Sequence, residues 1–386
     1  MKVEVDRRAM LEAVTKVAKV VPMNSPIKEL GTMLVECDDD TGEITLTATN
    51  FEVAVRQKFT ASVAESGAVL IPPRMLADML SHLPGEFTSF CVKGRDILTV
   101  TGGECTYDIS CLPAKNYPKP AFAQPNETAR ISRVVSLSQR TVFAVSNNEH
   151  QPALQCVSIK LKRDGVQAAA CDGVKMVLIK DTGSSPNQLE FLLLGRHLEK
   201  LAAISSDSDI FEVGNTGKEI VFTRKDLVFS AKKPAVDSFI DTSAVIKNVT
   251  PAYTGTANVK ELKEALSIIT TAASIGESMA PVNLIMAKNK IMLRADTDYA
   301  LAGSEVYANI SQDTPDAGFF YALRSLIKLF SAIDATGKAK IELDKRGLML
   351  IRAKNVVYFQ SPMINKAKSQ KDAKTKKEPK AAKEAA

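Results

Sequence analysis

The sequence of 386 residues contains no tryptophan, three histidines and only 6% aromatic residues. Its longest run of purely apolar residues, 319–323, is far shorter than the roughly 20 residues that a membrane-spanning helix needs. The opening residues, MKVEVDRRAM, are charged and contain none of the apolar segment that a secretory signal carries. We therefore expect a cytoplasmic protein with no membrane partner.

Metal-binding and catalytic motifs are also missing. The six cysteines show no CxxC spacing and lie mostly in apolar strand-like runs, which predicts reduced, buried thiols with no metal. His82 ends a predicted helix and His197 begins one, so both are expected to cap helices or face solvent. Nucleotide-binding glycine loops, the GxSxG elbow and HExxH are absent, so an enzyme is disfavoured and no cofactor is expected.

The net charge of +6 is concentrated at the C-terminus. Residues 366–386 hold eight lysines and three acidic residues, a net charge of +5, and this composition predicts a disordered Lys-rich tail. The other 365 residues are therefore close to neutral, so nucleic-acid binding by the folded body depends on where its cations lie.

The remaining chain repeats itself three times. Alternating strand-like segments end at Ala48, Ala170 and Ala295, and helix-like segments begin at Arg74, Arg196 and Arg324. Corresponding positions in successive repeats are all separated by about 125 residues. Amphipathic helices are predicted at the start of each repeat, over the ranges 8–20, 132–145 and 259–273.

The pattern predicts an α+β fold of three similar domains, each with two helices packed on antiparallel sheets. The boundaries fall in polar or proline-containing stretches. The predicted domains are 1–122, 123–250 and 251–365, and the tail is 366–386.

Several segments, in order and at these spacings, resemble the bacterial DNA polymerase III beta subunit, the sliding clamp. They are LTATNFEVAV (46–55), CLPAKNYPKP (111–120), TVFAVSNNEHQPALQCV (141–157), AACDGVKMVLI (169–179) and VVYFQSPM (356–363). The resemblance implies a ring-forming clamp fold, in which two chains join head to tail as a homodimer around double-stranded DNA without reading its sequence. It also implies tethering of the DNA polymerase catalytic subunit, with the clamp loader and repair proteins as further partners.

The resemblance implies two sets of site residues. Helix-borne cations are the candidates for the DNA-facing channel: Lys16, Arg74, Arg133, Arg140, Arg196, Lys200, Lys263, Arg324 and Lys328. Each could instead belong to a solvated helix face. A pocket for partner peptides is implied at Leu154, Cys171, Gly173, Val174, Lys175, Met176, Phe359, Pro362 and Met363. Leu154 and Met176 could instead be core residues.

The chain also departs from the family pattern, which indicates a divergent clamp. Val174-Lys175 stands where family members often carry His-Arg, and 236–239 replaces a Pro-Asp-Tyr segment. One alternative is a clamp-like module that does not encircle DNA and instead titrates or regulates clamp-binding proteins.

Overall fold

The structure is a computed structural model that describes residues 1–94, 96–183, 185–273, 281–297, 300–334 and 336–363. The predicted tail at 366–386 lies outside the described residues. None of the helices in the described parts of the chain is long and apolar enough to cross a membrane.

The elements occur in three successive sets of the same order, as the repeats predict. In the first set the helices are α1 (Arg7–Ala18) and α2 (Pro73–His82), and the strands are β1 (Lys2–Asp6), β2 (Met33–Asp38), β3 (Glu43–Thr49), β4 (Val53–Thr60), β5 (Ser62–Glu65), β6 (Gly67–Ile71), β7 (Phe87–Lys93), β8 (Ile97–Gly102), β9 (Cys105–Ser110) and β10 (Leu112–Pro113).

The second set contains the helices α3 (Val134–Thr141) and α4 (Gly195–Ala203). Its strands are β11 (Thr128–Ser132), β12 (Cys156–Lys162), β13 (Gly165–Cys171), β14 (Lys175–Thr182), β15 (Leu189–Leu194), β16 (Ile210–Asn215), β17 (Glu219–Arg224) and β18 (Leu227–Lys232). A short helix, α5 (Thr242–Lys247), follows and was not predicted. Asp241 caps it by accepting hydrogen bonds from the backbone N–H groups of Ser243 and Ala244.

The third set contains the helices α6 (Val259–Ala273) and α7 (Leu323–Ala332). Its strands are β19 (Tyr253–Asn258), β20 (Pro281–Ala287), β21 (Lys290–Asp296), β22 (Leu301–Ile310), β23 (Phe319–Ala322), β24 (Lys338–Leu343), β25 (Met349–Ala353) and β26 (Val356–Gln360). The predicted α+β class, with two helices and antiparallel strands in each repeat, is confirmed.

The first helix of each repeat was predicted within a few residues at each end. The helix expected over 132–145 is shorter, because α3 ends at Thr141 and a 3-10 turn follows over Val142–Ala144. In α1 the apolar stripe that predicted the helix is buried, and Asp6 caps its start by accepting a hydrogen bond from the backbone N–H of Ala9 at 2.7 Å.

Contacts within the chain divide it into two compact units. The first consists of residues 1–168 and 181–239, and the second of residues 169–180 and 240–386. The finer division into three domains at 122 and 250 remains a prediction. The first unit holds a nine-stranded sheet, β10-β6-β2-β3-β4-β18-β17-β16-β11, and a five-stranded sheet, β5-β1-β7-β8-β9. In the second unit the consecutive strands are β14-β26-β25-β24-β19-β22-β21-β20-β23.

Candidate functional site

The loop between β13 and β14 is a tight turn that displays an apolar side chain. Asp172 fixes this turn, because its Oδ1 accepts hydrogen bonds from the backbone N–H groups of Val174 at 2.9 Å and Lys175 at 2.7 Å. Gly173 adopts φ +91°, a left-handed conformation that favours glycine. Val174 is 53% exposed as a result.

The residues that follow β26 lie beside this turn. The backbone N–H of Ser361 donates to the carbonyl of Val174 at 2.8 Å, and the N–H of Met363 donates to the carbonyl of Phe320 at 2.7 Å. Pro362 is half-buried and Met363 is 38% exposed. The second unit therefore presents an apolar surface formed by Val174, Pro362 and Met363.

Other predicted pocket residues are buried or half-buried on the neighbouring strands β13, β14 and β26. Met176 and Phe359 are directly paired across β14 and β26 and are 1% and 9% exposed. Cys171 is also buried, and burial raises the pKa of its thiol. Lys175 forms an ion pair with Asp172, and each of these two side chains is only 17% exposed. The aspartate carboxylate therefore balances the positive charge of the lysine.

Leu154 lies in the first unit, where it is half-buried and its carbonyl accepts a hydrogen bond from the N–H of Ser146 at 2.8 Å. Sequence reasoning missed the partner of Lys175. The three-residue spacing of opposite charges in Asp172-Gly173-Val174-Lys175 was the available signal.

Six of the nine predicted channel cations have a hydrogen bond or ion pair within the protein. Arg140 pairs with Asp181 at 2.8 Å, Arg196 with Glu52, and Lys16 with Glu12 at 2.5 Å. Three others donate to backbone carbonyls: Arg74 to Val21 at 3.1 Å, Lys200 to Lys19 at 3.2 Å and Lys263 to Ile333 at 2.6 Å.

The other three channel candidates are Arg133, Arg324 and Lys328. All three are exposed and have no ion pair or side-chain hydrogen bond to any part of the chain that the structure describes. Arg324 and Lys328 both lie on α7, one turn apart, so they form a cationic stripe on an exposed helix face.

The expectation that His197 caps a helix or faces solvent is wrong. Its side chain is 1% exposed, and its Nε2 lies 3.4 Å from Oε2 of Glu52. Burial lowers the pKa of His197, although the carboxylate of Glu52 opposes this shift. Burial also lowers the pKa of Lys200, although the carboxylate of Glu52 opposes this shift. His82, by contrast, is exposed at the end of α2 as predicted.

The cysteines agree with the expectation only in part. Four of them are buried: Cys37, Cys111, Cys156 and Cys171. Burial raises the pKa of Cys37 to about 12 and that of Cys156 to about 11, so both thiols are protonated and inert. Cys105 differs because it is exposed at the start of β9.

Comparisons with known proteins agree with this architecture. Residues 1–121 match the family model of the DNA polymerase III beta subunit, N-terminal domain. The beta sliding clamp of Synechococcus elongatus is 24% identical over 240 residues, which cover 60% of this chain and 64% of that protein. The Bacillus subtilis beta sliding clamp is 22% identical over 288 residues, covering 71% of this chain and 74% of its own length.

The fold similarity extends further than the sequence similarity. The crystal structure of the Thermotoga maritima DNA polymerase III beta subunit superimposes with a TM-score of 0.83 at 20% identity, covering 94% of this chain and 99% of that one. The chain is therefore similar to the DNA polymerase III beta subunit by sequence in its first 121 residues, and it has the fold of that subunit along nearly its whole length.

Proposed function

We propose that this protein is a DNA sliding clamp. Two copies close head to tail around duplex DNA and tether the replicative polymerase for processive synthesis. The chain is then a non-catalytic processivity subunit that acts in the cytoplasm, and its three repeats are the three domains 1–122, 123–250 and 251–365.

The observation that carries the proposal is that equivalent strands pair at both junctions between repeats. We call this pattern the pairing rule. The fourth strand of the first repeat, β4, pairs antiparallel with the last strand of the second repeat, β18. The equivalent strand of the second repeat, β14, pairs in the same way with the last strand of the third repeat, β26. At both junctions, therefore, the fourth strand of one repeat pairs with the last strand of the repeat that follows.

Two strands in equivalent positions have no such partner in the described structure. In the first repeat the equivalent of β18 and β26 is β9, which pairs only with β8 among the described strands. The equivalent of β4 and β14 in the third repeat is β22, whose residues 301–304 pair on one side only, with β21, in the described structure. Unpaired strand edges are open to pairing with another chain. Joining β22 of one copy to β9 of the next extends the rule and gives a heterologous contact that can close into a ring.

The rule also predicts the register between copies. Val53 pairs with Ala231 in one junction and Lys175 pairs with Gln360 in the other. Val53, Lys175 and Ala300 each follow the repeat's alanine by five residues. The third residues of β18 and β26, Phe229 and Tyr358, pair with Val55 and Val177, which each follow that alanine by seven residues. Tyr107 is the third residue of β9, so equivalent pairing places it opposite Ala302 and places the exposed Cys105 opposite Ser304.

The other partners follow from the surfaces described above. Exposed helix cations attract the DNA backbone without base recognition, which suits a protein that slides. The apolar surface of Val174, Pro362 and Met363 is the proposed docking site for short peptides of the polymerase catalytic subunit, the clamp loader and repair proteins.

A single substitution tests the ring. In Ser304→Cys the new thiol lies opposite the native Cys105 of the next copy, and directly opposed strand residues have the Cα separation that a disulfide needs. Mild oxidation should give a covalent dimer of about 83 kDa, twice the chain mass of 41.7 kDa. The matched control, Ser304→Cys with Cys105→Ser, should remain monomeric on a non-reducing gel.

The oxidised dimer also tests encirclement. It should remain on nicked circular DNA at high salt and leave once the DNA is cut, because a closed ring can escape only over an end. Equal loss from circular and linear DNA would reject the clamp and favour a module that binds clamp partners without encircling DNA.

A further inference from the structure

A small cavity lies within the first unit, and one of its lining residues, Arg133, is also a candidate channel cation. The end of β11 and the start of α3 form one wall, the end of β12 and the start of β13 form a second, and the end of β14 with Gly183 and Ser185 forms a third. Its volume is about 40 Å³. One water molecule needs roughly 10–15 Å³ by the same measure, so the space holds about three waters or one small ion.

Three cations line this cavity: Arg130, Arg133 and Lys162. Each is exposed, and none has an ion pair or side-chain hydrogen bond with the described remainder of the chain. They come from two different segments that the fold brings together, so their grouping is a property of the tertiary structure rather than of a local charge run.

The single acidic residue among the lining side chains does not balance these three charges. Asp181 is engaged by Arg140, at 2.8 Å from Nη1, and the two side chains are 16% and 18% exposed. Glu212 lies opposite Arg130 in the pairing of β11 with β16, but no ion pair forms between them. The wall of the cavity is therefore strongly positive.

The backbone around the cavity is held in place. The hydroxyl of Ser185 is buried, accepts a hydrogen bond from the N–H of Arg130 at 3.0 Å and donates to the carbonyl of Asn187 at 2.7 Å. Gly165 closes the opposite side, where any Cβ atom would collide with the carbonyl oxygen of Asp181. Arg133 adopts φ 55°, ψ 40°, a left-handed conformation that side-chain-bearing residues seldom take.

We propose that this cavity binds a phosphate group. A tetrahedral oxyanion matches its size, and two guanidinium groups with one ammonium group supply the charge-assisted donors that phosphate oxygens prefer. Ser132 and Thr182 line the same space, and a hydroxyl group can donate to the remaining oxygens. The group comes either from free phosphate or from a nucleic-acid backbone, since both present the same oxygens.

Calorimetric titration of the full chain with inorganic phosphate, at ionic strength held constant with chloride, tests the site. We expect saturable binding that weakens by at least about tenfold in Arg133→Asn with Lys162→Gln, because two of the three donors are lost. Asn tolerates the left-handed backbone, so the substitution keeps the turn. Lys162→Gln alone, at the exposed last position of β12, provides a second variant if the double variant fails to fold.

The matched control is Arg163→Gln. Arg163 is adjacent to Lys162 and carries the same charge, but it does not line the cavity. Unchanged affinity in this control, beside the loss in the double variant, supports the site. Absence of saturable phosphate binding, or an equal loss in the control, overturns it.

A competition experiment then identifies the source of the phosphate. Displacement of phosphate by a short duplex, sensitive to the same substitutions, assigns the site to nucleic-acid backbone, whereas binding that duplex DNA does not displace assigns it to free phosphate. Both outcomes require the site to exist. Neither depends on ring closure, because the cavity is formed entirely by the first unit.

Discussion

The guanidinium group of Arg196 donates two hydrogen bonds to the carboxylate of Glu52, at 3.1 Å from Nε and 2.9 Å from Nη2. Glu52 lies in the turn before β4 of the first repeat, and Arg196 lies in the first turn of α4 in the second. The buried His197 contacts the same carboxylate. These side chains therefore link two repeats within the first unit, beside the junction of β4 with β18.

Glu52→Gln should lower the stability of the first unit. The amide can still accept one hydrogen bond, but the charge that opposes Arg196 and faces His197 is lost. Since Glu52 is 46% exposed, the cost should be modest, about 0.5–1 kcal/mol. Urea unfolding measures it. The control is Glu12→Gln, which removes an exposed helix pair with Lys16 and should change stability less. An equal effect would show that the pair of Glu52 with Arg196 has no special role.

The same contact predicts acid sensitivity. Burial opposes ionisation of Glu52, but the hydrogen bonds and charges of Arg196 and His197 outweigh it and hold the pKa of Glu52 below its ordinary value of 4.5. Burial holds the pKa of His197 below its ordinary 6.5. Both folded-state pKa values are depressed, so both contributions to stability are complete above the ordinary values and decline as pH falls.

Unfolding midpoints measured from pH 7.5 down to pH 4 should therefore fall, first below about pH 6.5 through His197 and then below about pH 4.5 through Glu52. Glu52→Gln should flatten the lower part of this decline. A midpoint that rises on acidification would contradict the assignment of a neutral, buried His197.

Local patterns were sufficient to predict much of the fold. The alternating strand ending at Ala48 and the apolar stripe from Val259 to Ile269 predicted β3 and α6, because burial of one face imposes these periods. Local patterns could not predict the pairing of β4 with β18, because it joins residues 170 to 178 positions apart and neither strand's sequence indicates its partner.

Among the site residues, too, local sequence predicted some positions, whereas contacts between distant residues required the fold. Sequence position suggested Arg140 as a channel cation, but its partner, Asp181, lies 41 residues away, so only the fold reveals that the charge is engaged. His197 was expected to cap a helix or face solvent because it is near a helix start, and its burial depends on how α4 packs. Val174 and Met363, by contrast, were expected in the partner pocket and lie at an exposed apolar surface.

Met363→Ala with Val174→Asp should weaken binding of a polymerase-derived peptide by about 1–3 kcal/mol, because both changes remove apolar contact area from a docking surface. Titration of the peptide measures this loss. Ile210→Ala is the control, since Ile210 is 60% exposed on β16 of the first unit and outside the proposed pocket. Unchanged affinity in the double variant, with folding intact, would place the peptide site elsewhere.

The engaged and exposed channel cations should respond differently to neutralisation. Arg324→Gln with Lys328→Gln removes two exposed charges from α7, so DNA affinity should fall and its salt dependence should become shallower by nearly two units in the log–log slope. Stability should hardly change, because both side chains are solvated. Arg140→Gln should instead destabilise the first unit by about 1–3 kcal/mol, since it removes the ion pair with the largely buried Asp181 carboxylate, while the salt slope stays the same. Salt-dependent DNA binding and urea unfolding of both variants provide the comparison. If Arg140→Gln reduces the slope as much as the α7 pair, the ion pair opens on DNA and Arg140 belongs to the channel after all.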